Sequence, residues 1–404
     1  GLAPYGDPIY KDLIFKEIID LKEDGSFRLN QKYFNYMGGL TMINRKFEAL
    51  FGFPKRKPEK DKLLQFHMDL AASIQLVLEE CVLKITRFIY KKYKIENLCL
   101  AGGVALNCVA NGKILKDGYF KKIWIQPASG DAGGSIGASL AVWFSELGNK
   151  RDNDKGDRMR GSYLGPSYGE VFIEKFLLKE KIKYTKLSEN DLINKVANEL
   201  SLGKAIGWFQ GKMEFGPRSL GARSILADPR LSDTQKNLNL KVKFRESFRP
   251  FAPAILKEKV SEWFEMNTDS PYMLIVSKLK DKLRLKMNEN QKKLFGIDQL
   301  NIKRSEVPAI THVDYSARIQ TVHKETNEKF HKLINRFYEI TNCPMIVNTS
   351  FNIRGEPIVC DPNDAYKCFL GTKLDFLVLE NFIIDKKDIN QELLVSYINI
   401  YELD

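Results

Sequence analysis

The sequence predicts an α/β layer followed by a second domain of α/β or α+β type. Residues 97–147 alternate strand and helix, with glycine pairs at the strand ends. The 404 residues suffice for two hydrophobic cores. A polar, charged run at residues 148–160 interrupts the hydrophobic patterning and places the domains at 1–150 and 151–404.

Taken in order, residues 9–60 alternate short helical pieces with loops, and the basic run at residues 54–58 reads as a solvated linker. Apolar residues recur at helical spacing over 62–93, from Leu63 and Phe66 to Phe88 and Ile89, which predicts a long amphipathic helix. His67 on that helix reads as structural or exposed. Residues 97–101 form a buried strand ending in Gly102-Gly103, and a helix follows through Asn107 and Ile114. Residues 122–126 are a second strand, and the turn containing Asp131, Gly133 and Gly134 opens a helix over 138–147.

In the second domain the pattern predicts helices at 189–202, 326–341 and 363–370. It predicts strands at 204–208, 315–322 and 345–347, with a polar surface excursion at 280–305.

Composition narrows the partners. Apolar residues make up 44% and charged residues 28%, as in ordinary globular proteins. No stretch approaches the roughly 20 apolar residues of a membrane span, and no secretory leader opens the chain. A cytoplasmic protein without a membrane partner is expected. The six cysteines form no CxxC pair and read mostly as buried, reduced thiols. The net charge of +12 comes from lysines spread along the chain. No groove-reading motif accompanies it, so nucleic acid is not the expected partner.

The chemistry concentrates in residues 207–230, where Lys212, Arg218, Arg223 and Arg230 lie among glycines and a proline. Guanidinium forks match phosphate and carboxylate oxygens two at a time, and glycines permit close backbone approach. The run Lys243-Phe-Arg-Glu-Ser-Phe-Arg249 adds Arg245 and Arg249, and Arg318 adds a further cation. Asn348, Thr349, Ser350 and Asn352 follow an apolar strand, where they either close an Asx/ST turn or contact a ligand.

Two strand-to-helix glycine turns, Gly102-Gly103 and Gly133-Gly134, are places where phosphate meets a helix N-terminus. Asp131 either caps the following helix or holds a metal, and spacing alone favours the cap. No Ser-His-Asp or Cys-His nucleophile system is legible. Positioning and electrostatic stabilisation of a small phosphorylated substrate is the chemistry expected.

Seven segments (residues 1–8, 98–115, 128–139, 207–230, 243–255, 317–322 and 344–359) together resemble the bacterial O-carbamoyltransferases. Members of that family act on nodulation factors, cephems and aminoglycosides. The resemblance implies part of an actin-like (ASKHA) ATPase-fold domain followed by a YrdC-like domain. It implies that carbamoyl phosphate and ATP, with Mg2+, give carbamoyl adenylate, whose carbamoyl group passes to a small-molecule or glycan hydroxyl. It casts Lys212, Arg218, Arg223 and Arg249 as catalytic. Gly102, Gly103, Asn107, Gly133, Gly134, Arg245, Arg318, Asn348, Ser350 and Asn352 become cofactor-binding residues. Asp131 becomes a ligand of iron or another divalent metal, with further ligands in an upstream His-x-x-x-His segment. That segment is not in this sequence, so the chain is expected to lack the family's N-terminal part and to need an upstream half-domain or a homodimer partner. A tRNA threonylcarbamoyl-type enzyme, or an inactive half awaiting a partner chain, is the alternative.

Overall fold

The computed structural model describes residues 1–57, 60–151, 157–245, 248–390 and Leu394. The first part contains α1 (Lys11–Glu17), the strands β1 (Ile19–Leu21) and β2 (Phe27–Leu29), α2 (Arg45–Phe51) and the 29-residue α3 (Gln65–Tyr93). Next come β3 (Asn97–Leu100), α4 (Cys108–Asp117), β4 (Lys122–Ile125) and α5 (Gly133–Ala141). These are the predicted strands and helices of residues 97–147, but β3 is not buried as expected, being exposed at Asn97 and Cys99, and α5 begins earlier than expected and gives way to a π-helical turn at Val142–Glu146.

The chain continues with α6 (Glu170–Lys179), β5 (Thr185–Lys186), α7 (Glu189–Ser201), β6 (Ile206–Phe209), β7 (Arg223–Ala227) and α8 (Thr234–Lys241). Then follow β8 (Ala252–Leu256), α9 (Val260–Trp263), β9 (Ile275–Lys278), α10 (Glu289–Lys292) and β10 (Ser316–Val322). The last elements are α11 (Glu328–Thr341), β11 (Met345–Ser350), α12 (Pro362–Gly371), β12 (Phe376–Leu379) and β13 (Phe382–Asp385).

By compactness the chain divides into two units that do not follow the boundary at residue 150. The first holds Gly1–Leu98, Val109–Trp124 and Met287–Ile302; the second holds Cys99–Cys108, Ile125–Lys286 and Lys303–Asp404. The reason is visible at Gly216, where an added Cβ would stand 3.1 Å from the Pro127 carbonyl oxygen. The basic segment and the turn after β4 therefore pack backbone to backbone within the second unit. Of the expected boundary run, residues 152–156 lie outside the described residues. The excursion at 280–305 is likewise not purely surface: an added Cβ at Gly296 would fall 2.6 Å from the Gln65 side-chain oxygen, within the first unit.

In the first unit α1 and α3 close over a core of Ile14, Ile18, Ile19, Tyr33, Phe51, Val77 and Cys81. Tyr10 meets Phe51 edge-on at 5.5 Å, and Phe66 stacks on Phe53 at 4.0 Å. His67 is structural, as expected: its Nδ1 accepts the Leu64 N–H at 2.9 Å and satisfies a donor at the start of α3.

In the second unit, among the described residues, nine strands run in the order β5-β13-β12-β6-β7-β11-β8-β10-β9. The sheet is mixed: β12–β6 and β8–β10 pair parallel, while the other neighbours are antiparallel. Every residue of β6, β7, β8 and β12 is buried. Such strands lack the polar alternation of a half-exposed strand. That is why β7, inside the segment read as a basic loop, gave no strand signal. Helices α7 and α11 pack on each other, α11 packs on β11 and β8, and α12 packs on β12 and β6.

No helix among the described residues is long and apolar enough to cross a membrane. All six cysteines are free. Only Cys81, Cys343 and Cys368 are buried; Cys108 and Cys360 are half-buried and Cys99 is exposed, fewer buried thiols than expected.

The bend entering β7 depends on Gly221, whose φ is +108° and whose added Cβ would fall 2.4 Å from the Phe330 ring. Both the backbone and the packing oppose a side chain there. Gly221→Ala is expected to destabilise the second unit by roughly 2–4 kcal/mol, through positive φ and overpacking together. Denaturant titration measures this, and an unchanged midpoint would contradict it.

Candidate anion-binding site

The site is built around residues 212–223. Segment 162–166 runs alongside: the Met213 N–H donates to the Pro166 carbonyl and the Gly165 N–H to the Met213 carbonyl, both at 2.9 Å. Beyond Arg218 the backbone is satisfied group by group. The Ser219 carbonyl accepts from Asn348 Nδ2 at 3.1 Å. The Leu220 carbonyl accepts from the Tyr163 hydroxyl at 2.8 Å and from Gln320 Nε2 at 2.7 Å. The Gly221 N–H donates to Ser224 Oγ and its carbonyl accepts from Trp208 Nε1, both at 3.0 Å. The Leu220 and Ala222 N–H groups both donate to Glu214 Oε1, at 2.6 and 2.8 Å.

The cations sort into two groups. Arg223 is fully buried. Its guanidinium lies 3.5 Å over the Phe209 ring and donates to the carbonyls of Gln210, Gly211, Ala222 and Pro166. This arginine clasps the backbone, and burial lowers its pKa. Arg230 forms a two-pronged pair with buried Asp228, with Nη2 to Oδ2 at 2.6 Å, and is thereby removed from the convergent set. Arg245 Nε donates to Asn239 Oδ1 at 2.8 Å. Arg249 is exposed, and its carbonyl accepts from the Gln235 and Asn239 side chains. Lys212 is exposed, so the structure does not bring it into the buried cluster.

Arg218 and Arg318 differ from these. Nε of each is buried and unpartnered, as is that of Arg223, but the Nη atoms of Arg223 are held by carbonyls, whereas no side-chain hydrogen bond or ion pair forms to the Arg218 or Arg318 guanidinium among the described residues. Burial, and then the charge of Arg318, push the Arg218 pKa down to about 10. Ser219 Oγ and Asn348 Oδ1 are also buried and unpartnered. Asn348 is fully buried, with Nδ2 donating to Gln320 Oε1 at 2.7 Å as well as to Ser219. Two like-charged guanidinium groups in a partly dry environment repel each other, and an anion between them relieves both that repulsion and the unmet donors.

The 348–352 turn is organised by Lys243, a residue not among the expected site residues. Its Nζ donates to the Ser350 carbonyl at 2.6 Å, Ser350 Oγ at 3.0 Å, the Asn352 carbonyl at 2.8 Å and Asn352 Oδ1 at 2.7 Å. Ser350 and Asn352 therefore face an internal ammonium. Burial, with Arg245 nearby, pushes Lys243 down to about 7. Its sequence signal was present in the Lys243-x-Arg245 spacing. Gln320, Ser219 and Glu214 gave none.

The glycine turns lie in the second unit. The Gly102 N–H donates to the Ser129 carbonyl at 2.8 Å. An added Cβ at Gly103 or Gly134 meets nothing within 4 Å, whereas one at Gly133 would fall on the Ala128 carbonyl. The Gly103 and Gly134 backbones are thus open to a ligand, and Gly133 serves close packing. Asn107 ends the short turn that begins at Gly103. Asp131 is exposed and does not cap α5: its carbonyl accepts the Gly134 N–H at 3.0 Å, and no side-chain cap bond forms. Among the described residues no three His, Cys, Asp or Glu side chains are grouped to hold a metal.

Comparison with known proteins adds the family. A model described as the carbamoyltransferase N-terminus matches residues 1–140, and one described as the carbamoyltransferase C-terminus matches residues 197–386. The chain belongs to the carbamoyltransferase family. Because the N-terminus model matches from residue 1, the expectation that this family part is lacking is not borne out.

An uncharacterized Synechocystis protein, sll1178, is 58% identical over 388 residues, covering 96% of this chain and 63% of that protein. Nodulation protein NolO of Bradyrhizobium diazoefficiens is 37% identical over 391 residues, covering 96% and 65%. The chain thus spans somewhat under two thirds of the length of these two relatives. A crystal structure of full-length HypF in its phosphate- and nucleotide-bound form aligns with 51% of this chain and 22% of that chain. Its TM-score of 0.31 and identity of 18% are too low to argue from.

The Lys243 cradle has a measurable consequence. Its folded pKa of about 7 lies below its ordinary 10.5, so between those values the unfolded chain binds the extra proton and stability rises with pH. Lys243→Met is expected to lose roughly 3 kcal/mol at neutral pH, through unmet oxygens of Ser350 and Asn352. The wild-type advantage over K243M should widen from pH 7 to pH 10 in denaturant titrations. A constant gap would mean that Lys243 titrates as an ordinary lysine.

Proposed function

We propose that this chain carries the carbamoyl-activating chemistry of an ATP-dependent O-carbamoyltransferase. Carbamoyl phosphate, ATP and one water yield carbamoyl adenylate, phosphate and pyrophosphate. An acceptor hydroxyl, on a sugar or secondary metabolite, then bonds to the carbamoyl carbon, gives up its proton and displaces AMP. In this reading residues 151–404 have YrdC-like character, and the turns around Gly103 and Gly134, which fold into the same unit, belong to an ASKHA-like part that receives the adenylate.

The pair of Arg218 and Arg318 carries the proposal. Both are partly buried, both hold a buried Nε without a partner, and burial together with the charge of Arg318 lowers the Arg218 pKa. Phosphoryl and carbamoyl oxygens suit such a fork, and donors fixed in a low-dielectric site stabilise developing charge without reorganising. Ser219 Oγ and Asn348 Oδ1 offer one hydroxyl and one amide oxygen beside them, suited to the carbamoyl NH2 and oxygen. Mg2+ enters with the ATP phosphates. No step is assigned to a metal at Asp131.

Purified chain incubated with ATP, Mg2+ and carbamoyl phosphate should form carbamoyl adenylate, detected by mass spectrometry together with pyrophosphate. Arg218→Ala should lower the rate roughly 10^2–10^3-fold, the scale for losing one preorganised donor to a charged transition state. A folded chain whose adenylate formation is indifferent to R218A would sink the assignment of this site.

A further inference from the structure

We propose that Glu214 is a positioning residue for the anion site: its buried carboxylate fixes the backbone from which Arg218 projects. The inference rests on the anion-binding reading of Arg218 given above. Glu214 lies four residues before Arg218 and is 7% exposed. A single oxygen, Oε1, accepts the N–H of Leu220 at 2.6 Å, of Ala222 at 2.8 Å and of Arg223 at 3.4 Å. The chain therefore turns around one carboxylate oxygen, and Arg218 and Ser219 sit on the arc it closes.

The carbonyls of this arc have other partners in Asn348, Tyr163, Gln320 and Trp208. The N–H groups of Leu220 and Ala222 have Glu214. Removing the carboxylate leaves two buried donors unmet beside a like-charged pair, and the arc must open toward water to satisfy them. Two opposing influences act on the carboxylate itself. Burial raises its pKa, while the Leu220 and Ala222 N–H groups and the Arg223 charge pull it down. Its negative charge in turn offsets part of the cost of burying Arg223. This gives a reason for an acid inside a cationic segment: it lets a charged loop enter the sheet with Arg218 held at one angle.

The test uses the full chain and two probes, inorganic phosphate and carbamoyl phosphate, titrated by calorimetry. Arginine Nε–H resonances and thermal unfolding are followed alongside. Wild type should bind at least one probe, and R218A should lose that binding. E214Q keeps an acceptor oxygen and should bind within about threefold of wild type, whereas E214A should bind at least about tenfold more weakly, the scale of one or two lost hydrogen bonds. In E214A the Arg218 Nε–H resonance should shift or broaden while those of Arg230 and Arg245 stay in place, which a general loss of stability would not produce.

If E214A does not fold, E214D serves, keeping the charge on a side chain one methylene shorter; weaker binding with a displaced Arg218 resonance is then expected. Wild-type affinity and an unmoved Arg218 resonance in E214A or E214D would overturn the role of Glu214. Absence of binding by folded wild type to either probe would instead remove the anion-site reading, and the inference with it.

Discussion

The structure of the second unit turns on one constraint: a polar, cationic segment must enter the middle of a buried sheet. Strand β7 is fifth of nine strands, and all of its residues are buried. The loop that feeds it cannot leave its backbone groups to water, since an unmet buried N–H or carbonyl costs on the order of 1–3 kcal/mol. The surrounding polar side chains answer that demand. Trp208, Tyr163, Gln320 and Asn348 supply donors, while Ser224 and Glu214 supply acceptors. The site is rigid because the loop has no unpaired backbone group between Leu220 and Ala222 with which to rearrange.

The same constraint separates cations that hold the fold from cations that face a ligand. Burying a guanidinium is tolerable when its donors meet carbonyls or a carboxylate. Arg223 has four carbonyls and Arg230 has Asp228. Lys243 has four oxygens of the 350–352 turn. Arg223 keeps one buried Nε unpartnered, but no carbonyl or carboxylate among the described residues takes up any donor of Arg218 or Arg318, and these two adjoin each other. An arrangement that raises its own electrostatic energy in this way is the kind found where a binding partner supplies the missing charge.

Much of this was legible in the sequence, for identifiable reasons. The helix at 62–93 and the alternation at 97–147 were readable because amphipathic periodicity and glycine turns are local signals. Strands β7, β8 and β12 were not: they are buried throughout, show no alternation and are only four or five residues long, although β6, equally buried and short, was read as a strand. For the site, arginine among glycines pointed to residues 207–230 as a whole. It could not distinguish Arg218 from Arg223, five residues apart, because that difference is made by carbonyls of Pro166, Gln210 and Gly211 that only the folded chain brings near. The cap expected of Asp131 failed for a related reason: the backbone turn of residues 130–134 satisfies the donors first.

The net charge of +12 invites a polymeric anion as partner, but the location of charge argues for a small one. Many lysines are exposed and already adjoin carboxylates, such as Lys183 with Asp388, or Lys186 with Glu170 and Glu174. Exposed charges separated by more than about 8–10 Å are screened at physiological salt. Arg218 and Arg318 are half-buried with Nε out of contact with water, so their field on a bound phosphate falls off less. Selectivity then comes from volume and donor geometry. A group small enough to enter beside Ser219 and Asn348 meets unscreened charge, whereas a nucleic-acid backbone lying over the surface meets lysines that are paired and wet. On physical grounds, what discriminates here is the burial of two arginines and not the sum of all the basic residues.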